Sequence, residues 1–348
     1  ALSAGREGDV GQALINRHPN KARRFAEGWM RDFPGRFYLE IQRTGRAQEK
    51  LHERHALHLA AELGLPVVAT RVGGAPELVD DAVRKHHGID IDVVVGIGGG
   101  SVLDAAKAIA GLLPRGNSVM DHLEGVGNGV PYTGPATPWL AVPTTAGTGS
   151  EATRNAVLTQ RGSDGFKKSF RHEKLVAHTA IIDPELLATC PFDQMAAQGM
   201  DAFTQLLESY VSRRASPFTD ALASSGMQAF RDGFWSAWTP GDPLAQQGYQ
   251  KLAYASLCSG ITLAQAGLGS VHGLASPLGA YFPIPHGVVC GTLVASATRL
   301  NIAALRARDP NNPALRKYAE AGVLLGAEMY ASEQAAQDGL VGLLEDWT

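Results

Sequence analysis

Apolar and polar positions follow two different patterns along the chain, and the change comes near residue 184. Before it, short runs rich in β-branched residues end in glycine loops and alternate with stretches of helical periodicity. We therefore predict, in chain order, strand 37–42, helix 46–63, strand 66–70, helix 76–87 and a strand over DVVVGI at 92–97. Strands that alternate with helices predict a parallel sheet covered by helices.

After about residue 185 the β-branched runs disappear and apolar residues recur only at helical spacing. This pattern predicts helices over 193–212, 216–238, 246–266 and 313–330. An extended IID run meets Pro184, which disfavours helix in the residue before it. We therefore expect an α/β domain with a Rossmann-like parallel sheet at 1–184 and an all-helical domain at 185–348.

Composition narrows the class of protein. The chain has 348 residues, 45% of them apolar and 19% charged, with a formal net charge of −3. It has no extended basic run to steer nucleic acid, and no uninterrupted apolar run of about 20 residues to span a membrane. The three cysteines show no zinc-type or redox spacing among themselves, and the first residues do not resemble a secretory signal. These features favour a cytoplasmic protein with small-molecule ligands and neither nucleic acid nor membrane partners.

Two glycine-containing loops follow predicted strands. GIGGGSVLDAAKAIAGLL, from Gly96 to Leu113, reads as a strand, a glycine turn and a helix that begins at Ser101. Backbone amides at such a turn can bind a pyrophosphate, although the loop does not match G-x-G-x-x-G and a plain tight turn is the alternative. PTTAGTGSEAT, from Pro143 to Thr153, is rich in hydroxyls that can bind phosphate or ribose. Two such loops favour a dinucleotide, because ligands collect at the carboxyl ends of parallel strands.

A set of metal-binding side chains lies in the predicted helical half. GMDAFTQLLESYVS places Asp201 and Gln205 on one helical face, and GLGSVHGLASPLGAYFPIPHG adds His272 and His286. Each histidine alone is more often a structural residue, but one carboxylate with two imidazoles is a reasonable site for Fe²⁺ or Zn²⁺. Glu208, one turn beyond Gln205, could orient a ligand, although a solvated or capping carboxylate is the commoner role.

Five motifs together resemble the iron-containing alcohol dehydrogenase family from about Arg71 to Thr348. They are GGGSVLDAAKAIA, VPTTAGTGSEAT, AIIDPEL, GMDAFTQLLESYVS and VHGLASPLGAYFPIPHG, in family order. The resemblance implies an α/β cofactor domain joined to an all-α metal domain, the fold that dehydroquinate synthases share. It also implies oxidation of an alcohol, or reduction of an aldehyde or ketone, with NAD or NADP.

The resemblance also implies roles for individual residues. The expected cofactor-binding residues are Gly98, Gly99, Gly100, Ser101, Asp104, Thr144, Thr145, Thr148 and Lys167. The expected metal ligands are Asp201, Gln205, His272 and His286, with Fe²⁺ as the metal and Zn²⁺ as the alternative. Asp201, His272, His286 and Ser276 are the expected catalytic residues.

Two positions depart from the family pattern. Gln205 stands where the family usually has a histidine, and Ser276 stands where many members carry another histidine near the substrate. A neutral amide oxygen is a poorer donor for Fe²⁺ or Zn²⁺ than an imidazole, so we expect weaker metal binding or a different metal. If the second histidine relays protons in the family, Ser276 and a water must replace it here.

The first 70 residues resemble a different protein. Residues from about Gly8 to Thr70 are similar to a fragment of the polymerase-and-histidinol-phosphatase domain of bacterial DNA polymerase III alpha subunits. The resemblance implies a fusion near Thr70 and Arg71. Arg43 and Arg46 then take the place of residues that choose between NAD and NADP, although a plain basic loop is the simpler interpretation. We also expect the helical domain to be shortened at its C-terminus.

The leading hypothesis is a metal-dependent NAD(P) oxidoreductase that interconverts a small alcohol and its aldehyde or ketone. The alternative is a catalytically impaired dinucleotide-binding remnant of the same fold. A phosphoesterase fragment and a lyase of the dehydroquinate-synthase kind rank lower, because the histidine clusters of the first and the basic substrate contacts of the second are not visible. The resemblance implies a homodimer.

Overall fold

The computed structural model describes residues 8–32, 34, 39–41, 49–63, 67–69, 74–160 and 164–347. The chain divides into two compact units, residues 1–73 and residues 74–348. The boundary that we predicted near residue 184 lies within the second unit, and it stays a prediction.

The first unit contains two short parallel strands and the helices that accompany them. Its described elements are α1 (Asp9–Ile15), α2 (Pro19–Asp32), β1 (Leu39–Ile41), α3 (Glu49–Leu63) and β2 (Val67–Ala69). β1 pairs in parallel with β2, with Leu39 opposite Val67. The predicted order of strand, helix and strand is therefore confirmed. Arg43, Arg46 and the join near Thr70 and Arg71 lie outside the described residues.

The second unit begins with a parallel sheet. Its elements are α4 (Pro76–His86), β3 (Val94–Gly98), α5 (Gly100–Leu112), β4 (Trp139–Pro143) and β7 (Thr179–Ala180). The strand order is β3-β4-β7, all parallel, with Val94 opposite Trp139 and Leu140 opposite Thr179. α5 packs on this sheet through Leu103, Ala106 and Ala110. The predicted parallel sheet with covering helices is confirmed.

An antiparallel hairpin, β5 (Asn155–Gln160) and β6 (Phe166–Arg171), separates β4 from β7 in the chain. We did not predict it. The strand β6, FKKSFR, has two adjacent lysines between its phenylalanines and no β-branched run. Leu158 and Phe170 are nevertheless completely buried, so the hairpin belongs to the core of the second unit.

The elements that follow residue 184 are helical throughout the described part. They are a short 3₁₀ segment at Pro184–Thr189, then α6 (Phe192–Tyr210), α7 (Pro217–Trp238), α8 (Ala245–Ala266), α9 (Ser270–Tyr281), α10 (His286–Arg308), α11 (Pro313–Gly326) and α12 (Glu333–Trp347). The four predicted helices correspond to α6, α7, α8 and α11. The predicted all-helical second half is confirmed.

Local signals explain where these helices begin. At α7, Ser216 caps the helix: its hydroxyl accepts a hydrogen bond from the Thr219 amide, and the Thr219 hydroxyl accepts one from the Ser216 amide. Pro217 occupies the first turn, where its missing N–H costs nothing. α6 is the central helix of the bundle, because Phe203 and Leu206 are completely buried in the main helical core.

α10 has the length and apolar composition of a membrane-spanning helix. In the second unit it packs against α6, α9 and α12. Val289, Val294 and Ile302 are buried there. Its apolar face is explained by this packing, as for other core helices.

Candidate active site

One face of α6 carries three buried polar side chains. Asp201, Gln205 and Glu208 are 1%, 3% and 8% exposed. Their spacing of four and then three residues places them on one side of the helix. Burial of polar groups is costly without partners, so the surrounding helices must supply partners.

α9 and α10 bring two imidazoles and a thiol to this face. His272 lies in the first turn of α9, and His286 is the first residue of α10. Cys290 follows His286 by one turn and is completely buried. Gly287 allows α10 to approach α6 closely, because a Cβ at this position would overlap the carbonyl oxygen of Ala197.

Asp201, His272, His286 and Cys290 form a compact cluster of possible metal ligands. One donor atom from each lies within 4.8 Å of the other three. Asp201 Oδ1 is 3.1 Å from His272 Nε2 and 3.8 Å from His286 Nε2. Cys290 Sγ is 3.6 Å from His272 Nε2 and 3.8 Å from His286 Nε2. A carboxylate, two imidazoles and a thiol at these separations fit a divalent metal such as Fe²⁺ or Zn²⁺.

Glu208 holds His272 in place. One carboxylate oxygen is 2.6 Å from His272 Nδ1, and the other accepts a hydrogen bond of 2.7 Å from the Val271 amide at the start of α9. Since Nδ1 is engaged, Nε2 points to Asp201. Glu208 therefore caps α9 and orients the imidazole, and its interpretation as a solvated carboxylate is wrong.

Gln205 orients the carboxylate of Asp201. Its amide nitrogen donates to Asp201 Oδ1 over 3.2 Å, and its carbonyl oxygen accepts a hydrogen bond of 2.9 Å from the Ser259 hydroxyl on α8. Coordination by the carbonyl oxygen would require the amide to turn over and release Ser259. The assignment of Gln205 as a metal ligand stays a prediction.

The environment sets the charge of each ligand. Burial raises the pKa of Asp201, but the hydrogen bond from His272 and the nearby charges of His286, His272 and Lys167 lower it to about 2. Burial lowers the pKa of His286 to about 4, against the attraction of Asp201. Burial also lowers the pKa of His272, but hydrogen bonds to Asp201, Cys290 and Glu208 raise it well above its usual value. At neutral pH, Asp201 is therefore ionised and His286 is a neutral donor.

The two glycine-containing loops lie against each other at the carboxyl ends of β3 and β4. The Thr144 amide donates to the Gly98 carbonyl over 3.1 Å. A Cβ on Gly99 would lie 3.2 Å from Thr145 Oγ1, and one on Gly100 would lie 2.5 Å from Thr148 Cγ2. Glycine at position 100 is therefore required by the close approach of Thr148 to the start of α5.

Lys107, which we did not single out, ties α5 to the second loop. Its completely buried ammonium donates to the Ser150 and Asn155 carbonyls, over 2.9 Å and 2.6 Å, and to Thr153 Oγ1 over 2.9 Å. Asp104 lies 3.4 Å from this ammonium and accepts a hydrogen bond of 2.5 Å from Ser150 Oγ. Asp104 thus takes part in joining the two loops, and its contact with a cofactor stays a prediction.

Ser259 connects the second loop with the metal-binding cluster. Its hydroxyl lies 3.4 Å from the Gly147 carbonyl and donates to Gln205, which in turn holds Asp201. Close packing reinforces this link, since a Cβ on Gly149 would overlap the backbone of Gly260 on α8.

Lys167 and Ser276 are the remaining predicted site residues. Lys167 is half-buried on β6. Burial lowers its pKa, while the charges of Asp201, Asp104 and Cys290 act in the opposite direction. Ser276 is half-buried on α9, one turn after His272. Their predicted roles, with the cofactor and in catalysis, stay predictions.

Comparison with known sequences identifies the family. Residues 44–184 match the sequence description of the iron-containing alcohol dehydrogenases. Residues 195–346 match that of the Fe-containing alcohol dehydrogenase family, C-terminal. The matched ranges include both glycine-containing loops and the whole cluster around Asp201. The chain belongs to the iron-containing alcohol dehydrogenase family.

Relatives in this family are alcohol dehydrogenases by name. The 1-propanol dehydrogenase PduQ of Citrobacter freundii is 38% identical over 241 residues, 69% of this chain and 58% of that protein. The NAD-dependent methanol dehydrogenase of Bacillus methanolicus is 35% identical over 219 residues, 61% of this chain and 55% of that protein. A crystal structure of 1,3-propanediol oxidoreductase superimposes with a TM-score of 0.72 at 28% identity, covering 94% of this chain and 82% of that chain.

These comparisons confirm the predicted family and fold and move one boundary. The parallel α/β part followed by helices is the fold of iron-containing alcohol dehydrogenases. The chain spans less than two thirds of the length of the two curated relatives. The family match begins at residue 44, so placing the start of the resemblance at Arg71 was wrong. The resemblance of residues 8–70 to a polymerase domain stays a prediction, and its residues 44–70 overlap the family match.

For this member of the iron-containing alcohol dehydrogenase family, sequence reasoning found three of the four clustered donors. Asp201, His272 and His286 come together as their predicted roles require. Cys290 was missed because the cysteines were compared only with one another. The spacing of four residues from His286 could have revealed Cys290, because it places both side chains on one helical face.

Proposed function

We propose that the protein is a metal-dependent NAD(P) oxidoreductase that interconverts a small alcohol and its aldehyde or ketone. The observation that carries the proposal is the cluster of Asp201, His272, His286 and Cys290, buried in a member of the iron-containing alcohol dehydrogenase family. The named relatives, a 1-propanol dehydrogenase and an NAD-dependent methanol dehydrogenase, support a short alcohol as substrate and NAD as cofactor.

We propose that the metal site activates the oxygen of the alcohol. Asp201, His272 and His286 hold the cation, which we propose is Fe²⁺ or alternatively Zn²⁺, and Gln205 remains a candidate ligand. When bound, such a cation supplies Lewis-acid polarisation of the substrate oxygen. Glu208 and Gln205 keep His272 and Asp201 in position for this task.

The cofactor site is proposed at the two glycine-containing loops. Gly98 to Ser101 present backbone amides at the start of α5, where the helix dipole favours a pyrophosphate. Thr144, Thr145 and Thr148 supply hydroxyls, and Asp104 and Lys167 complete the proposed contacts. When bound there, a nicotinamide would supply the hydride acceptor or donor. Lys167 is near enough to both Asp104 and Asp201 for their charges to interact, which supports a cofactor that reaches the metal site.

Proton transfer is assigned to Ser276. Its hydroxyl lies on α9 one turn after His272, at half-buried depth. We propose that Ser276 Oγ, through a water, passes the alcohol proton towards solvent. The substitution of a serine for an imidazole at this position makes the transfer less dependent on pH, because a hydroxyl does not titrate near neutrality.

The test is an assay of the purified protein for metal content and for reduction of NAD⁺ and NADP⁺ by methanol, ethanol, 1-propanol and 1,3-propanediol. His272→Ala should lower metal content and turnover by at least about 10-fold, since even partners of a ligand cost about 10-fold to 100-fold. His178→Ala, at an exposed histidine outside the cluster, should change neither. Equal metal content in wild type and His272→Ala contradicts the site assignment.

The same assay distinguishes the proposed enzyme from the alternative, a catalytically impaired remnant. That alternative expects NAD(H) binding without bound metal and without turnover of any alcohol. Retention of all the cluster residues, and of the hydrogen bonds that orient them, favours the active enzyme.

The location, the oligomeric state and the partners of the protein are also proposals. We infer a cytoplasmic homodimer that acts on a small alcohol or aldehyde, with no nucleic acid or membrane partner. The net charge of −3 supports the exclusion of nucleic acid.

A further inference from the structure

We propose that the Cys290 thiolate is a protein ligand of the cation held by Asp201, His272 and His286. The inference rests on the proposed function, since it concerns the same metal site. It adds a sulfur donor from α10 to a set that otherwise contains one carboxylate and two imidazoles.

The position of Cys290 on α10 directs its side chain toward the cluster around Asp201. Cys290 lies four residues after His286, so both side chains project from one face of the helix. The residue is completely buried, beside Val271 and Ala275 of α9. Its sulfur therefore faces the same small volume as the two imidazole nitrogens and Asp201.

The separations match those of ligands that share one metal ion. With metal–nitrogen and metal–oxygen distances of about 2.0–2.2 Å and a metal–sulfur distance of about 2.3 Å, a tetrahedral site separates nitrogen from oxygen by about 3.4 Å and nitrogen from sulfur by about 3.6 Å. In the protein, Cys290 Sγ lies 3.6 Å and 3.8 Å from the two Nε2 atoms. Asp201 Oδ1 lies 3.1 Å and 3.8 Å from the same nitrogens.

Charge balance supports ligation by a thiolate. A divalent cation with Asp201 and two neutral imidazoles keeps one positive charge, which the Glu208 carboxylate on His272 offsets and the Lys167 ammonium restores, and burial of net charge is costly. Lys167 adds positive charge nearby, because its ammonium interacts with Asp201 and Cys290. When the thiol of Cys290 releases its proton to solvent and binds the cation, the thiolate neutralises the remaining charge.

The arrangement of Gln205 supports the same conclusion. Its carbonyl oxygen accepts the hydrogen bond from Ser259, and its amide nitrogen faces Asp201. Gln205 thus orients a ligand, and Cys290 provides the further donor. A soft thiolate in the set favours Zn²⁺ over Fe²⁺.

The competing explanation is that Cys290 only fills space. Cysteine is among the most often buried residue types and packs like a small apolar side chain. A packing role predicts no electronic contact between sulfur and a metal ion, whereas ligation predicts one. Spectroscopy distinguishes the two.

The experiment titrates chelator-treated full-length protein with Co²⁺, while equilibrium dialysis measures how much Co²⁺ binds. We expect one bound Co²⁺ per chain and a thiolate-to-cobalt charge-transfer band in the near ultraviolet. Cys290→Ser should lack the band and bind Zn²⁺ at least about 10-fold more weakly. Cys258→Ser is the matched control, because Cys258 is 1% exposed and lies on α8, and it should keep the band.

A second measurement covers the case in which Cys290→Ser fails to fold. In Zn²⁺-loaded wild-type protein, X-ray absorption at the zinc edge should show one sulfur ligand at about 2.3 Å from the metal, and a shell of nitrogen and oxygen alone overturns ligation by Cys290. Stoichiometric Co²⁺ binding without the band, or a band that persists in folded Cys290→Ser, overturns ligation by Cys290 and leaves the proposed function standing. Absence of Co²⁺ binding overturns the metal site and the proposed function with it.

Discussion

Glu208 shows how one side chain can serve both a helix and a metal site. Its carboxylate accepts hydrogen bonds from the Val271 amide and from His272 Nδ1. The first contact fixes the start of α9, and the second leaves Nε2 of the imidazole directed at Asp201. A ligand held in this way loses little conformational freedom when metal binds.

Glu208→Gln should therefore weaken metal binding with little change in fold. An amide has a single acceptor oxygen, so it cannot accept both hydrogen bonds, and its NH₂ group opposes the remaining donor. We expect Zn²⁺ affinity to fall by about 10-fold to 100-fold. Competition with a chromophoric chelator measures the Zn²⁺ affinity. Glu185→Gln, at an exposed carboxylate, should bind as wild type does, and equal affinities in the two variants would contradict the role of Glu208.

At the scale of residues, the sequence predicted those candidate ligands whose side chains are typical of metal sites. Asp201, His272 and His286 were visible because a carboxylate and two imidazoles lie in motifs of the family. Cys290 was missed, and an orienting role for Glu208 was ranked below a solvated or capping role, since a buried cysteine and a helical glutamate are common without any role at a metal. Only the contacts with His272 reveal what they do.

Among the elements, α10 is the one whose position decides the geometry of the site. Its first residue is His286, and its first turns contact α6. Gly287 makes this contact possible, because a Cβ would overlap the Ala197 carbonyl oxygen. The distance between His286 and Asp201 thus depends on the absence of one methyl group.

Gly287→Ala should push α10 away from α6. Overpacking of this kind typically costs about 1–3 kcal/mol in the free energy of unfolding, measurable by urea denaturation. Metal affinity should fall as well, because His286 moves with the helix. Gly342→Ala on α12 is the control: its Cβ would meet no atom within 4 Å, so stability should stay unchanged or rise by up to about 1 kcal/mol. Wild-type stability and affinity in Gly287→Ala would show that the close contact is unimportant.

Element prediction succeeded where a β-branched run or a sustained helical period marks the element, and it missed the β5–β6 hairpin. Helices α6, α7 and α8 and the strand before the first glycine-containing loop have clear patterns. No strand was predicted at β6 because it has no β-branched run and its two lysines lie between phenylalanines. The hairpin is what brings Lys167 to the site, so this side chain could be assigned only by resemblance.

At the scale of the molecule, a few side chains of the second unit connect the second glycine-containing loop with the cluster around Asp201. Gly147 of the second loop, Ser259 of α8 and Gln205 of α6 lead to Asp201. The parallel sheet and the helices were predictable as classes of structure. Their relative placement was not, because it depends on close contacts such as that between Gly149 and Gly260.

The most direct test of the account is X-ray diffraction from crystals of the metal-loaded protein, with data collected on both sides of the absorption edge of the metal. The account predicts a single anomalous peak per chain, in contact with the side chains of Asp201, His272 and His286. A peak bound elsewhere, or these three side chains in direct contact with one another and no peak between them, would contradict it.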